Sequence, residues 1–239
     1  NMNIGLYAIV TTSQNHAFLE AKKKHVAKAC GIEKDEVTIF FAPRDEENPV
    51  RGCYNGHHRI WQYIVDHQVS NALILEDDVF FLKHIDYSRF SAFLENNSWE
   101  LFYLGHRPVI WKQRKVEKTS QKQIVRVRTN DTHAYIINKE AANKLLRYIW
   151  DGRPADILIN DAIDVAYARY PMIAIQTGKL FSDSFMNGLS ERNAQYIRYG
   201  LQKPITYSRA IPYLIFLLLA QPWIFFSSMY IAITQKHPS

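Results

Sequence analysis

The stretch from Ala72 to Phe81, Ala-Leu-Ile-Leu-Glu-Asp-Asp-Val-Phe-Phe, constrains the fold more than any other part of the chain. Leu73 to Leu75 form a short apolar run of the kind that fills a fully buried strand, and the run stops at Glu76, Asp77 and Asp78. Adjacent carboxylates beside a core are costly unless they are solvated, paired or bound to a cation. A doubly wound sheet gathers its ligands at the carboxyl ends of its strands, so the position of these acids agrees with a chemical role.

The residues before this stretch supply the units such a sheet needs. Gly5 to Val10 reads as a first strand, followed by the polar Thr11-Thr12-Ser13 and a helix over His16 to Cys30. In that helix Phe18, Ala21, His25, Val26 and Ala29 fall near one face, Lys22, Lys23, Lys24 and Lys28 crowd the other, and Gly31 supplies a stop. Val37 to Ala42 is a second strand, which completes a βαβ start and makes the loop at Thr11 and Thr12 a candidate nucleotide contact. After a charged loop over Arg44 to Pro49, Gly52 to His67 carries Ile60, Trp61, Ile64 and Val65 at helical spacing and leads into the acidic stretch.

Beyond the acids, Tyr87 to Glu95 predicts a helix and Leu101 to Leu104 a central strand ended by Gly105. Arg107 to Arg128 is strongly basic, with Ser120-Gln121-Lys122 between two strand-like arms, and reads as a hairpin or mobile loop that could meet phosphates, or as a merely solvated hairpin. It lacks the interleaved aromatic residues of a nucleic-acid surface, since only Trp111 qualifies. Ala134 to Ile137 predicts a strand, Lys139 to Tyr148 a helix, Asp156 to Tyr167 a further helix with Asp156 at its start, and Met172 to Ile175 a last strand. Gln176 to Arg192 is mixed and polar, as suits a loop closing over a site.

Near the end, Ile211 to Ile233 is uncharged and rich in aromatic residues, but Pro212, Gln221, Pro222 and Ser227-Ser228 interrupt it. Two short apolar helices attached to a membrane surface rank first, burial in a core or dimer interface second and a true span third, with Arg198, Lys203 and Arg209 placed to rest on anionic headgroups. The expected organisation is therefore one α/β domain over residues 1–200 and an apolar extension over 201–239. A net charge of +6 favours anionic partners, whether nucleotides, phosphoglycans or an acidic membrane. Cys30 and Cys53 lack a Cys-x-x-Cys spacing, so neither a disulfide framework nor a structural zinc site is expected, and a reducing, cytoplasmic setting fits, peripheral to a membrane if the apolar run attaches.

Taken in order, the motifs resemble glycosyltransferase family 25, which includes lipooligosaccharide galactosyltransferases and procollagen galactosyltransferase domains. Gly52-Cys53-Tyr54-Asn55-Gly56-His57 is similar to the family's Gly-Cys/Glu-x-x-Ser-His segment, although Gly56 stands where the family has Ser. Ala72 to Val79 is nearly the family's own wording, and Trp99 to Gly105 is similar to its Trp-Asp-x-x-Tyr-Leu-Gly strand. Thr132-His133-Ala134-Tyr135, the following Ala141-Ala142 and Leu145-Leu146, and Pro154-Ala155-Asp156 complete the set. Thr11 to His16 departs from the family's Asn-Leu-Asp-Arg-like run after the first strand.

The resemblance implies a GT-A type, Rossmann-like fold with a mostly parallel sheet flanked by helices. It also implies a metal-dependent, inverting transfer of a hexose from a UDP-sugar donor to a hydroxyl of a glycan or glycosylated acceptor. Asp78 and then Glu76 are the implied ligands of Mn²⁺ or Mg²⁺, with Asp77 on the ribose or orienting its neighbours. Asp156 is the implied catalytic base, with Asp161 and Asp131 as fallbacks, and His57 either bonds the donor diphosphate or packs structurally. Two other classes compete: a metal-dependent phosphotransferase or hydrolase on the same acids, and a non-catalytic module that binds glycans or membrane.

Overall fold

A computed structural model describes residues 3–42, 44–106, 116–121, 123–129, 131–170 and 172–176, with the backbone alone for 116–118. These residues lie within one compact unit, Asn1–Gln176. The expected boundary near residue 200, the polar loop after Gln176 and the apolar run over 211–233 lie outside the described residues. Among the described residues no helix is long and apolar enough to cross a membrane.

The chain opens with β1 (Leu6–Thr11), α1 (His16–Cys30), β2 (Val37–Phe41), α2 (Pro49–Asp66) and β3 (Asn71–Glu76). Local chemistry sets these bounds. Asn15 caps α1 by accepting from Phe18 N at 3.1 Å, and Gly31 ends it in the left-handed region at φ 70°. Asn48 caps α2 in the same way, accepting from Arg51 N at 3.1 Å, and Pro49 occupies the first turn, so this helix begins ahead of the expected Gly52.

The chain continues through β4 (Val79–Phe81), α3 (Ser88–Glu95), β5 (Leu101–Gly105), β6 (Val116–Lys118), β7 (Ile124–Val127), β8 (Ala134–Asn138), α4 (Lys139–Leu145), α5 (Ala155–Ala162), β9 (Ala166–Arg169) and β10 (Ala174–Gln176). Eight strands form one sheet in the order β2-β1-β3-β8-β5-β9-β7-β6. The pairings make β2, β1, β3, β5, β9 and β6 run one way and β8 and β7 the other, so the sheet is mostly parallel in direction. Val116 pairs with Val127, which makes β6 and β7 the expected hairpin.

Side chains on each strand alternate between two cores. Ala72 and Ile74 join Trp61 and Ile64 of α2, Ala142 of α4 and Leu158 of α5, while Leu73 and Leu75 join Val26 of α1 and Phe90 of α3. The central strands are thus covered on both faces, and their ends are left as the place for polar groups. Gly56 lets α2 approach β1 closely: a Cβ there would sit 2.6 Å from Val10 Cγ2 and 3.0 Å from the Ala42 Cβ.

Three expectations need correction. The helix opening near Asp156 ends at Ala162, with Ile163 extended, and the rest of the expected span becomes β9 between β5 and β7. Its reason is a period of two: Ala166 and Ala168 face one core while Tyr167 packs on the other. The last strand, expected over Met172 to Ile175, is Ala174–Gln176, and it pairs antiparallel with β4 outside the large sheet because Asp77-Asp78 turns the chain out of that sheet. In α1 the buried stripe is Leu19, Lys22, Val26, Ala29 and Cys30, which places Lys22 inside and not on the solvated face.

Candidate active site

The parallel strands bring their ends to one edge. Thr11 closes β1, Glu76 closes β3 and Gly105 closes β5, while β8 starts there from the opposite direction, with Glu76 N donating to His133 O at 3.0 Å. Of the acids, Glu76 and Asp77 are half-buried and Asp78 is buried at 2% exposure. Such burial demands partners for each carboxylate, and the surrounding elements supply them.

Thr11 Oγ1 donates to Asp77 Oδ2 at 2.5 Å and accepts from Ser13 N at 2.9 Å, so the first loop and the acidic turn are tied directly. Thr12 is exposed beside them. Glu76 receives Thr132 Oγ1 at 2.5 Å on Oε1 and Gln176 Nε2 at 2.9 Å on Oε2. The same Gln176 nitrogen lies 3.5 Å from Asp78 Oδ1, because the β4–β10 register sets Gln176 opposite Val79. Glu76 and Asp78 therefore converge on one point, where a donor now stands.

Lys22 crosses from α1 to the same turn and donates to Val79 O at 2.9 Å. Burial pulls its ammonium down to about 8, and the charges of Asp78 and then Asp77 oppose that pull. Among the described residues, Lys22 is the ammonium whose charge acts on Asp78 and Asp77. His25, one turn further on, accepts from Phe81 N at 3.0 Å, and burial followed by Lys22 and Lys28 holds it down at about 4.

His57 and His133 form the inner wall. His57 is fully buried; its Nδ1 lies 3.0 Å from the Tyr135 hydroxyl, which also accepts from Trp61 Nε1 at 3.1 Å. Its Nε2 faces Glu76 Oε1 at 3.5 Å with no hydrogen-bond partner among the described residues. Burial alone raises the Glu76 carboxyl, yet His57, Thr132 and the charge at His133 outweigh it and hold it at about 2. His133 is buried with neither ring nitrogen hydrogen-bonded among the described residues. It packs on Gly105, where any Cβ would collide with the imidazole and lie 2.7 Å from Ala174 O.

Asp156 sits in the first turn of α5 behind Pro154 and accepts from Asp131 N at 3.2 Å. Asp131 is held at φ 88°, and its neighbour Thr132 bonds Glu76. Consecutive residues thus span the gap between Asp156 and the acids, a separation on the order of 10 Å given a Cα spacing of about 3.8 Å. Asp161, the other fallback base, is engaged by Arg153 Nη1 at 2.6 Å.

Sequence reading missed Lys22, Thr132, Tyr135 and Gln176 as parts of this site. Lys22 was legible from its place in the stripe Leu19, Lys22, Val26, whereas Gln176 depends on a strand pairing that spans about a hundred residues and leaves no local signal.

Residues 47–159 match the sequence model described as Glycosyltransferase family 25 (LPS biosynthesis protein). The chain is 26% identical over 132 residues to Procollagen galactosyltransferase 1 of Danio rerio, covering 51% of this chain and 20% of that protein. It is 24% identical over 127 residues to Procollagen galactosyltransferase 2 of Homo sapiens, again covering 51% of the chain and 20% of the relative. The match therefore spans about a fifth of the length of these relatives. Among solved structures, the crystal structure of A197 from STIV overlaps at a TM-score of 0.46 and 14% identity, covering 73% of this chain and 85% of that one.

Proposed function

Residues 47–159 belong to glycosyltransferase family 25, and from that premise we propose that the chain transfers a hexose, galactose or glucose, from a UDP-sugar to a hydroxyl of a glycan or glycosylated acceptor. The observation that carries the reading is the convergence of Glu76 Oε2 and Asp78 Oδ1 on the single nitrogen of Gln176. Two carboxylates facing one point fit a hard divalent cation such as Mn²⁺ or Mg²⁺. Such an ion, when bound, neutralises the charge that develops on a departing diphosphate.

The protein's own groups do the rest. Glu76 and Asp78 would hold the ion, with Gln176 moving aside or turning its side-chain carbonyl toward it. Thr11 fixes Asp77, which orients the first loop and takes the ribose of the donor, while Thr12 and the neighbouring backbone amides receive its phosphates. His57 is buried away from solvent and acts through Glu76 as a positioning residue. Lys22 balances Asp78 from the side opposite the cleft. Asp156 accepts the acceptor hydroxyl's proton as that oxygen attacks the anomeric carbon opposite the leaving UDP, which gives inversion. The hydrogen bond from Asp131 N and the place of Asp156 in the first turn of α5 aim that carboxylate.

The polar residues after Gln176 and the apolar run over 211–233 would add the acceptor site and attachment to an anionic membrane. The test is a screen of UDP-hexoses with Mn²⁺, scored by UDP release with and without a glycan acceptor. Metal-dependent release stimulated by acceptor supports transfer; release of phosphate with no need for a sugar supports the hydrolase reading instead.

A further inference from the structure

Cys53 and His57 stand one helical turn apart on α2, so both reach the same side, and that side faces the end of β3. One ligand atom from each of Cys53, His57 and Glu76 lies within 4.8 Å of the other two. The set is closed toward the core by His57, fully buried, and opens toward Cys53, which is half-buried. Independently of that grouping, His57 Nε2 is a buried nitrogen aimed at Glu76 Oε1 without a hydrogen bond among the described residues. A buried polar atom left in that condition is a cost the fold bears unless something occupies the gap.

We propose that Cys53, His57 and Glu76 form a second cation site, selective for a thiophilic divalent ion of the zinc class, which shares Glu76 with the acidic turn. The two oxygens of Glu76 divide the work. Oε2 faces Gln176 and Asp78, an all-oxygen environment for a hard ion, whereas Oε1 faces the imidazole and thiol. One thiolate, one imidazole and one carboxylate make three protein ligands of mixed softness, and zinc accepts this set with a fourth position left to water or substrate.

The supporting residues suit the role. Coordination through Nε2 requires the imidazole proton on Nδ1, donated to the Tyr135 hydroxyl 3.0 Å away, whose oxygen already accepts from Trp61. On binding, the Cys53 S–H bond breaks, the sulfur–metal bond forms and the proton leaves to solvent. A zinc ion held there draws Glu76 away from the neighbouring site and so opposes occupancy of that site by Mn²⁺ or Mg²⁺.

The site is tested on the full chain, stripped of metal and titrated with Zn²⁺ against a chromophoric chelator and with Co²⁺ for its thiolate charge-transfer band. One tight equivalent and a thiolate band are expected, and Cys53→Ala should remove the band and weaken Zn²⁺ about tenfold or more, even though Cys30 is still present. In the unmodified protein, Zn²⁺ should slow alkylation of Cys53 by iodoacetamide, read by mass spectrometry, and Mg²⁺ should not. Asp78→Asn should keep the thiolate band and the Zn²⁺ protection of Cys53, which separates this site from the acidic pair even if no transferase activity is found. Equal Zn²⁺ binding by Cys53→Ala, or alkylation of Cys53 unchanged by Zn²⁺, overturns the proposal.

Discussion

The chain carries two runs of three acids, Asp45-Glu46-Glu47 and Glu76-Asp77-Asp78, and the fold treats them in opposite ways. In the first, Arg51 answers Asp45 through Nε and, at 3.0 Å, through Nη2, and reaches Glu47 at 3.4 Å. Asp45 Oδ1 also accepts from Asn48 N at 2.8 Å, so this run serves the start of α2. Glu46 and Glu47 remain in solvent. In the second, hydroxyls, one amide and one buried ammonium meet three carboxylates that burial forbids from being hydrated freely. The number of charges is the same; what differs is a guanidinium and water in one case, and hydroxyls, an amide and a buried ammonium at a strand end in the other. The second arrangement is the one for which we propose a cation.

The contrast can be broken from the acidic end first. Asp78→Asn keeps the shape of a buried side chain and removes its charge, and should lower transfer at least about a hundredfold, measured as kcat/KM for UDP release. Asp156→Asn should reduce kcat by about two to four orders of magnitude while UDP affinity measured by calorimetry stays put, because a base acts on the acceptor and not on the donor. Thr132→Val removes the hydroxyl on Glu76 Oε1 and should cost about tenfold in metal affinity, as expected for a group that positions a ligand. At the other run, Arg51→Ala should leave transfer within about twofold, since its ion pairs are exposed.

Titration sharpens the same comparison. The Glu76 carboxyl lies at about 2 when folded against 4.5 ordinarily. Its ionised form therefore stabilises the fold fully above pH 4.5, and that contribution is lost as pH falls toward 2. Denaturation of wild type and Glu76→Gln across that window should show a steeper acid limb in the wild type. Lys22 works in the alkaline range, at about 8 when folded against 10.5. Between those values the folded protein has released a proton that the unfolded chain retains, so stability rises with pH, and Lys22→Met should lose that rise.

How much of this was visible in the sequence follows from the range of the interactions. α1 appears over His16–Cys30 as its helical spacing and the Gly31 stop imply, and the strand before the acids appears because a short apolar run bounded by charge has few alternatives. The contact of Thr11 with Asp77 was not read from the sequence; it comes from the parallel pairing of β1 with β3. By contrast, β9 hid inside an apparent helix because Ala166, Tyr167 and Ala168 satisfy either period over so few residues. Lys22 was misplaced by the neighbouring lysines, which drew the polar face of α1 toward it. Gln176 and the Cys53–His57–Glu76 grouping need tertiary pairing of elements, so no window along the chain contains them.

The acids at the end of β3 are tested most directly by calorimetry of UDP binding with and without Mn²⁺, in wild type and Asp78→Asn. Binding that depends on Mn²⁺ in the wild type and disappears in Asp78→Asn is the expected result. UDP that binds equally well without the ion, or equally well to the variant, would contradict a role for Glu76 and Asp78 as the metal and diphosphate site.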